Sequence, residues 1–318
     1  MQTNSTTNSR SANTRPHGVS HAPRKLDIIS PSLEKRDRRF ALSLTAGRAF
    51  SPFPIMLFVP YKRSYLLSKM REEKVSFANP GGQKLDGVLH HPQAGIPRGG
   101  VILCHGMESN KDSDKLVLLS RELARLNLLA LRFDFACADP GKFEEITYSG
   151  EVEDLVAAFL FMRDRHSEKI AVLGSSMGGT VALLFAAQHA GIATVVTIAA
   201  PVHPERFTSR LLTPAQVQQW RKTGYTFYHG QRINVSLLHD LEKINVPEAA
   251  KKIDCPVLIL HGDRDDVVPV EEAHELYGYL PGSKRLSILD GADHRLSDPV
   301  LMDRALSEAV EWLCKHAG

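Results

Sequence analysis

The sequence has no apolar run approaching the roughly 20 residues that a membrane-spanning helix requires. The longest candidate, Phe53 to Val59, is short and interrupted by Pro54. Cysteine is scarce: Cys104, Cys137, Cys255 and Cys314 are the only four in 318 residues. None forms a C-x-x-C pair, and the spacings suit neither a zinc site nor a disulfide framework. Cys104 and Cys255 stand in or beside apolar runs, so buried free thiols in a reducing compartment are expected. No G-x-x-x-x-G-K-[ST] phosphate loop is present, and the one Gly-rich strand-to-helix turn is not G-x-G-x-x-G. Nucleotide and dinucleotide chemistry are therefore disfavoured.

Strong charge of either sign is also missing, since 39 Lys and Arg face 36 Asp and Glu for a net +3. That balance hides an uneven distribution. Residues 1–73 carry 13 basic and 5 acidic side chains, a surplus of eight positive charges. Residues 74–318 carry the other 26 basic and 31 acidic ones, a net of five negative charges. A nucleic-acid footprint needs basic residues clustered on the folded part, and an acidic body does not supply one. With 43% hydrophobic and 24% charged residues, the composition is that of a soluble globular protein.

Residues 1–50 are rich in Ser, Thr, Asn and Arg and lack sustained periodicity. Such a segment buries too little apolar surface to offset its ordering entropy, and a disordered leader over 1–73 is the expectation. Its composition resembles an organelle transit peptide. No apolar segment follows the start directly, which disfavours a secretory signal. The twin-arginine pattern at Arg38-Arg39 is followed by a stretch broken at Arg48 and Pro52. A mis-assigned start would produce the same leader, and a cytoplasmic location is expected.

From residue 74 the pattern changes to short aliphatic runs alternating with amphipathic segments. Strands are expected at Val75–Phe77, Lys84–Leu89, Val101–Cys104, Leu128–Phe133, Ile170–Leu173, Thr194–Ala199, Val257–Leu260 and Leu286–Leu289. Helices are expected at Lys115–Asn127, Glu151–Arg165, Met177–His189, Val270–Tyr279 and Pro299–Lys315. This alternation predicts an α/β fold, a mostly parallel sheet covered on both faces. Residues 201–251 interrupt it. Thr213-Pro214 there is a helix start, and the insert reads as a lid of short helices on a body spanning 74–318. Its Trp220, Tyr225, Phe227 and Tyr228 either line an apolar pocket or pack the lid on the body.

Three candidate catalytic segments occur in the order Ser, Asp, His. Gly174-Ser175-Ser176-Met177-Gly178 fits G-x-S-x-G exactly where an apolar strand would pass into a helix. A strained turn that exposes a serine needs small flanking residues. The pattern position singles out Ser176, with Ser175 at the variable position; a Gly/Ser-rich turn without chemistry is the plain alternative. His261-Gly262-Asp263-Arg264-Asp265-Asp266 follows the next strand, where parallel sheets place their sites. An acid here can orient a histidine, but spacing does not separate Asp263, Asp265 and Asp266. Gly291-Ala292-Asp293-His294 follows the last strand and offers His294. Finally, Val101–Cys104 runs into His105-Gly106-Met107. An acyl-transfer oxyanion needs two preorganised N–H donors, and the backbone amides of Met107 and Met177 are the candidates.

Taken together, these segments and Arg132-Phe133-Asp134-Phe135 resemble the α/β-hydrolases. They are most similar to serine esterases of the cinnamoyl/feruloyl-esterase and serine-aminopeptidase-like branch. The resemblance implies an eight-stranded sheet, selects Asp265 among the three carboxylates, and supports a Ser176–His294–Asp265 triad. It implies hydrolysis of a small-molecule carboxylic ester through an acyl-enzyme, with no metal or organic cofactor. The loop Ala136–Gly141 departs from the pattern, being shorter and poorer in glycine. The same triad would serve a peptidase, a thioesterase or a C–C hydrolase, and fold alone does not separate them. A non-catalytic binding protein on this scaffold would have no need of all three residues.

Overall fold

Strands covered on both faces have no polar side, and continuous apolar runs accordingly build most of the sheet. A computed structural model of the protein describes residues 71–318 apart from 94, 140 and 166–168. The expected leader lies outside the described residues except at its end. Strand β1, Glu72–Ala78, begins two residues before the expected boundary. It is an edge strand with alternating exposure, so Glu72 and Glu73 carry no apolar signal. The chain turns through Asn79-Pro80-Gly81-Gly82 into β2 (Lys84–His90). Gly82 there has φ +77°, a conformation natural to glycine.

The central strands are β3 (Gly100–Cys104), β4 (Leu129–Phe133), β5 (Ile170–Ser175) and β6 (Ile192–Ile198). An insert holds a hairpin of β7 (Tyr225–Tyr228) and β8 (Gln231–Asn234). The strands β9 (Val257–Gly262) and β10 (Lys284–Leu289) complete the sheet. Its order is β1-β2-β4-β3-β5-β6-β9-β10. Strands β1, β2 and β4 pair antiparallel, and every pairing from β4 to β10 is parallel. The chain winds outward from β3 to β4, then returns past β3 to β5 and continues the other way. The crevice at the carboxyl ends of β3 and β5 is therefore the switch point where such sheets bind ligands.

Helices α1 (Asp114–Arg125), α2 (Tyr148–Arg165) and α3 (Met177–Ala186) fill the first crossovers. The insert contributes α4 (Arg206–Leu211), α5 (Pro214–Thr223), α6 (Val235–Leu241) and α7 (Val246–Ala250). Helices α8 (Val270–Tyr279) and α9 (Pro299–His316) follow. Alternate side chains of β3 serve the two faces. Val101 and Leu103 belong to the core on the side of α1 and α9, and Ile102 and Cys104 to the core on the side of α2 and α3. Leu116, Leu119 and Leu123 form the fully buried stripe of α1, each contributing about 1.5–3 kcal/mol. All four cysteines are free thiols, with Cys104 and Cys255 buried. No helix among the described residues is long and apolar enough to cross a membrane.

The insert is not purely helical. Helix α5 starts on the expected Thr213 cap, a reciprocal capping box with Gln216, and ends at Gly224 with φ +82°. The hairpin that follows turns at His229 and Gly230, with φ of 45° and 81°. Two successive positive-φ residues match the strand twist of a tight hairpin. Its tip touches the loop after β3, where His229 Nδ1 lies 2.9 Å from the Glu108 carboxylate. At its other side the insert is tied to the body by Asp240 of α6, which accepts the Ser149 amide at the start of α2 at 3.0 Å.

Candidate active site

Strand β5 delivers Ser176 in a strained backbone, φ 54° and ψ −125°, which a non-glycine residue adopts only when its surroundings hold it there. They do so through backbone hydrogen bonds, the two shortest of which are these. The Ser176 amide donates to the Ile198 carbonyl at 2.7 Å, and its carbonyl accepts from the Gly179 amide at 2.9 Å. The glycines follow from close approach. A Cβ at Gly174 would sit 2.1 Å from the Gly178 carbonyl oxygen, and one at Gly178 would sit 2.3 Å from that of His105. Gly178→Ala therefore forces apart the elbow and the loop after β3. The expected loss is about 2 kcal/mol or more, seen as a melting temperature lower by about 4–8 °C. A melt unchanged to within about 1 °C would contradict this contact.

His294 reaches the elbow from the loop after β10. Its Nε2 is 3.0 Å from Ser176 Oγ, and its Nδ1 is 2.8 Å from Asp265 Oδ2. Of the three carboxylates after β9, only Asp265 makes this contact. Asp263 Oδ1 instead accepts the Gly291 amide at 2.6 Å, bracing the histidine loop, and Asp266 is exposed. The Asp265 side chain is fully buried. Burial alone would raise its pKa. Hydrogen bonds from His261 and His294 and from the Val268 amide outweigh burial and hold the carboxyl well below the usual carboxylate range. An ionised acid only accepts, so it keeps the proton of His294 on Nδ1. Nε2 is then free to accept the Ser176 hydroxyl proton.

Three residues around these groups, His261, His105 and Lys115, make contacts that have no counterpart in the sequence reading. His261 Nε2 donates to the Val268 carbonyl at 2.8 Å and lies 3.3 Å from Asp265 Oδ2, so it positions the acid. His105, read from sequence only as part of a turn, has its Nδ1 2.9 Å from the Gly106 carbonyl and accepts the Phe135 amide on Nε2 at 3.1 Å. Burial lowers its pKa, and the neutral ring ties the β3 and β4 loops together. Lys115, at the start of α1, donates to Ser175 Oγ at 3.2 Å. Burial lowers its pKa, while the charges of Asp293 and Asp265 pull it back up. The bonds of His105 and Lys115 leave no signal in a local motif, because their partners are backbone groups or distant in sequence; His261 stands in the quoted segment, but its spacing to three carboxylates does not show which one it meets.

The loop after β3 packs directly on the elbow: a Cβ at Gly106 would lie 3.1 Å from that of Ser176. Met177 opens α3. Among the described residues, neither the Met107 nor the Met177 amide donates a hydrogen bond. Beside this loop lies a cleft of about 210 Å³, bounded by Gly106 and Met107 and by Cys137, Phe143, Ile146 and Glu151. The short Ala136–Gly141 loop thus forms one of its walls. The insert aromatics do not form one pocket. Trp220 is buried, Tyr225 and Phe227 are exposed, and Tyr228 packs on Phe207 with ring centroids 5.3 Å apart. No three His, Cys, Asp or Glu side chains among the described residues converge as a metal site requires.

The model of the prolyl oligopeptidase family matches residues 146–318, just over half of the chain. The esterase domain of a Rhodothermus marinus protein is 27% identical, covering 78% of this chain and 100% of that domain at a TM-score of 0.62. The ferulic-acid-bound structure of Est1E from Butyrivibrio proteoclasticus shares 20% identity and covers 76% of this chain and 99% of that one. Its TM-score of 0.68 is a likeness of fold. A thermostable monoacylglycerol lipase from Bacillus sp. (strain H-257) is 24% identical over 234 residues, 69% of this chain and 92% of the lipase.

Proposed function

Because the chain belongs to the prolyl oligopeptidase family and is a serine hydrolase of α/β-hydrolase fold, we propose that it cleaves small-molecule carboxylic esters through a Ser176–His294–Asp265 triad. The observation that carries this reading is the single ring of His294, held between Ser176 Oγ and Asp265 at 3.0 and 2.8 Å. In the first half-reaction, His294 Nε2 removes the hydroxyl proton as Ser176 Oγ attacks the ester carbonyl carbon. The negative charge that develops on the carbonyl oxygen is received by the amides of Met107 and Met177. Collapse of this tetrahedral species breaks the C–O bond to the alcohol, and the imidazolium returns its proton to the leaving oxygen. In the second half-reaction a water gives His294 a proton and attacks the acyl carbon. The acid departs, and Ser176 regains its hydrogen.

The ionised Asp265 stabilises the imidazolium at both stages. Residues 201–251 act as a lid, a role supported by the contact of the hairpin tip with Glu108 beside Met107. The esterase and lipase identities of the relatives favour esters over amides. The family description favours a second reading, a peptidase using the same groups. A fluorophosphonate probe should label the protein once, on the peptide carrying Ser176. Turnover of p-nitrophenyl esters should exceed that of aminoacyl arylamides. The opposite order of turnover would favour the peptidase, and a protein left unlabelled would not be a serine hydrolase working through this residue.

A further inference from the structure

The turn that carries the Met107 amide is strained, and residues of the insert hold it. The Ser109 amide donates to the Gly106 carbonyl at 3.1 Å, which closes a four-residue turn from Gly106 to Ser109. Its third residue, Glu108, has φ 58°. Turns with a positive φ at that place favour glycine or asparagine. A glutamate adopts it only where its surroundings hold it there. His105 Nδ1, 2.9 Å away, meets the same Gly106 carbonyl. With the oxygen fixed from two sides, the planar trans peptide directs the Met107 N–H from its opposite edge. If Glu108 leaves positive φ, the Ser109 bond is lost and the peptide plane keeps only one of these two constraints.

The Glu108 side chain is held by the tip of the insert hairpin. His229 Nδ1 donates to Oε2 at 2.9 Å, and Gln231 Nε2 donates to Oε1 at 3.4 Å. Both carboxylate oxygens are thus engaged, and bonds to a charged acceptor are the stronger kind. The His229 ring stacks on Tyr228 with centroids 4.0 Å apart, and Tyr228 packs on Phe207 of α4. The ester-cleaving steps described above use neither the Glu108 nor the His229 side chain. Both stand one residue or one hydrogen bond away from an amide that those steps do use.

We propose that Glu108 is a positioning residue: its carboxylate, gripped by His229 and Gln231 of the hairpin tip, holds the Gly106-to-Ser109 turn so that the Met107 amide faces the developing oxyanion. The inference rests on the ester-hydrolase reading above. The hairpin tip thereby acts on an oxyanion donor through Glu108.

Glycine substitutions separate the backbone from the carboxylate. Glu108→Ala removes the grip and keeps the penalty of a positive φ, so the turn relaxes. Its kcat on a p-nitrophenyl ester should fall by about tenfold to a hundredfold, within the roughly 10²–10³ that one oxyanion donor supplies. KM should stay within about twofold, as for an interaction made only in the transition state. Glu108→Gly removes the same carboxylate without that penalty, and its kcat should exceed that of the alanine variant by about tenfold. A merely structural side chain would not be rescued by losing one more carbon. His229→Gly, at an exposed tip where glycine suits the φ of 45°, provides the test from the other side. It should lower kcat in the same direction as Glu108→Ala, and should change it by less than about twofold when Glu108 is already glycine. It also stands in for Glu108→Ala if that variant does not fold. Wild-type kcat in Glu108→Ala or in His229→Gly, or equal impairment of Glu108→Ala and Glu108→Gly, would overturn the assignment. Any of these in a protein that is probe-labelled and active removes only this inference. A wild type that is neither labelled nor active removes the ester-hydrolase reading with it.

Discussion

Ser176→Ala should lose ester turnover by about 10⁶-fold in kcat while its thermal melt stays within about 1 °C of the wild type. The two halves of this expectation have separate physical origins. The rate falls because, among the described residues, Ser176 Oγ is the oxygen that His294 Nε2 contacts, and alanine has none to attack the carbonyl; the remaining acceleration would come from the oxyanion donors and from substrate binding. The fold survives because the substitution removes one atom whose hydrogen bond is to His294. The backbone bonds to Ile198 and Gly179 are untouched, and a Cβ is already accommodated at this φ. Ser175→Ala is the control. It removes only the acceptor of Lys115, so it should cost less than about tenfold. Probe labelling that persists in Ser176→Ala, or a loss in Ser175→Ala as large as in Ser176→Ala, would refute the nucleophile assignment.

What the sequence made legible follows from how local each signal is. The centre of the sheet was readable because strands such as β3, β4 and β9 are buried on both faces and show as apolar runs, as in Val101–Cys104. Ser176 stood out because the elbow concentrates its constraints within five residues: the close approaches at Gly174 and Gly178 leave no room for a side chain. The acid was not separable by the same means. Asp263, Asp265 and Asp266 are equivalent by spacing, and only the fold sends Asp263 to the Gly291 amide and Asp265 to His294. The resemblance to known hydrolases, not the spacing, had pointed to Asp265.

Other features were hidden for related reasons. The hairpin in the insert has four-residue strands and a His-Gly turn rather than the usual Asn-Gly, so its aromatics read as part of a helical lid. Helix α3 ends at Ala186 rather than His189, three residues early, in a chain where helix ends are the least legible boundaries. Glu151 was assigned only as the first residue of an amphipathic helix. In the fold α2 is covered on several sides, with Glu151, Asp154 and Ala158 all buried. A periodicity argument assumes one wet face, and it fails where the sheet and the insert both cover the helix.

Asp265→Asn should lower kcat by about 10⁴-fold even though it changes one oxygen to an NH₂ group and leaves Ser176 and His294 in place. The direction follows from the hydrogen bonds of the acid. Its Oδ1 accepts the amides of Val267 and Val268 at 2.9 and 2.7 Å. In the variant, the side-chain oxygen must face these two donors, which turns the NH₂ toward His294 Nδ1. That nitrogen then accepts, the ring proton moves to Nε2, and the general base is lost. The pH dependence of stability separates this from simple damage. The folded-state pKa of Asp265 is depressed, so its contribution to stability is present above the unfolded carboxylate value of about 3.9. That contribution is lost as the pH falls through the lower folded value. Wild type should therefore be the more stable protein at neutral pH, and the gap should close only on acidification below about pH 4. Urea unfolding at several pH values measures the gap, and initial rates on a p-nitrophenyl ester measure kcat. A variant within about tenfold of wild-type kcat would remove Asp265 from the triad, because such a rate is incompatible with an imidazole whose proton sits on Nε2.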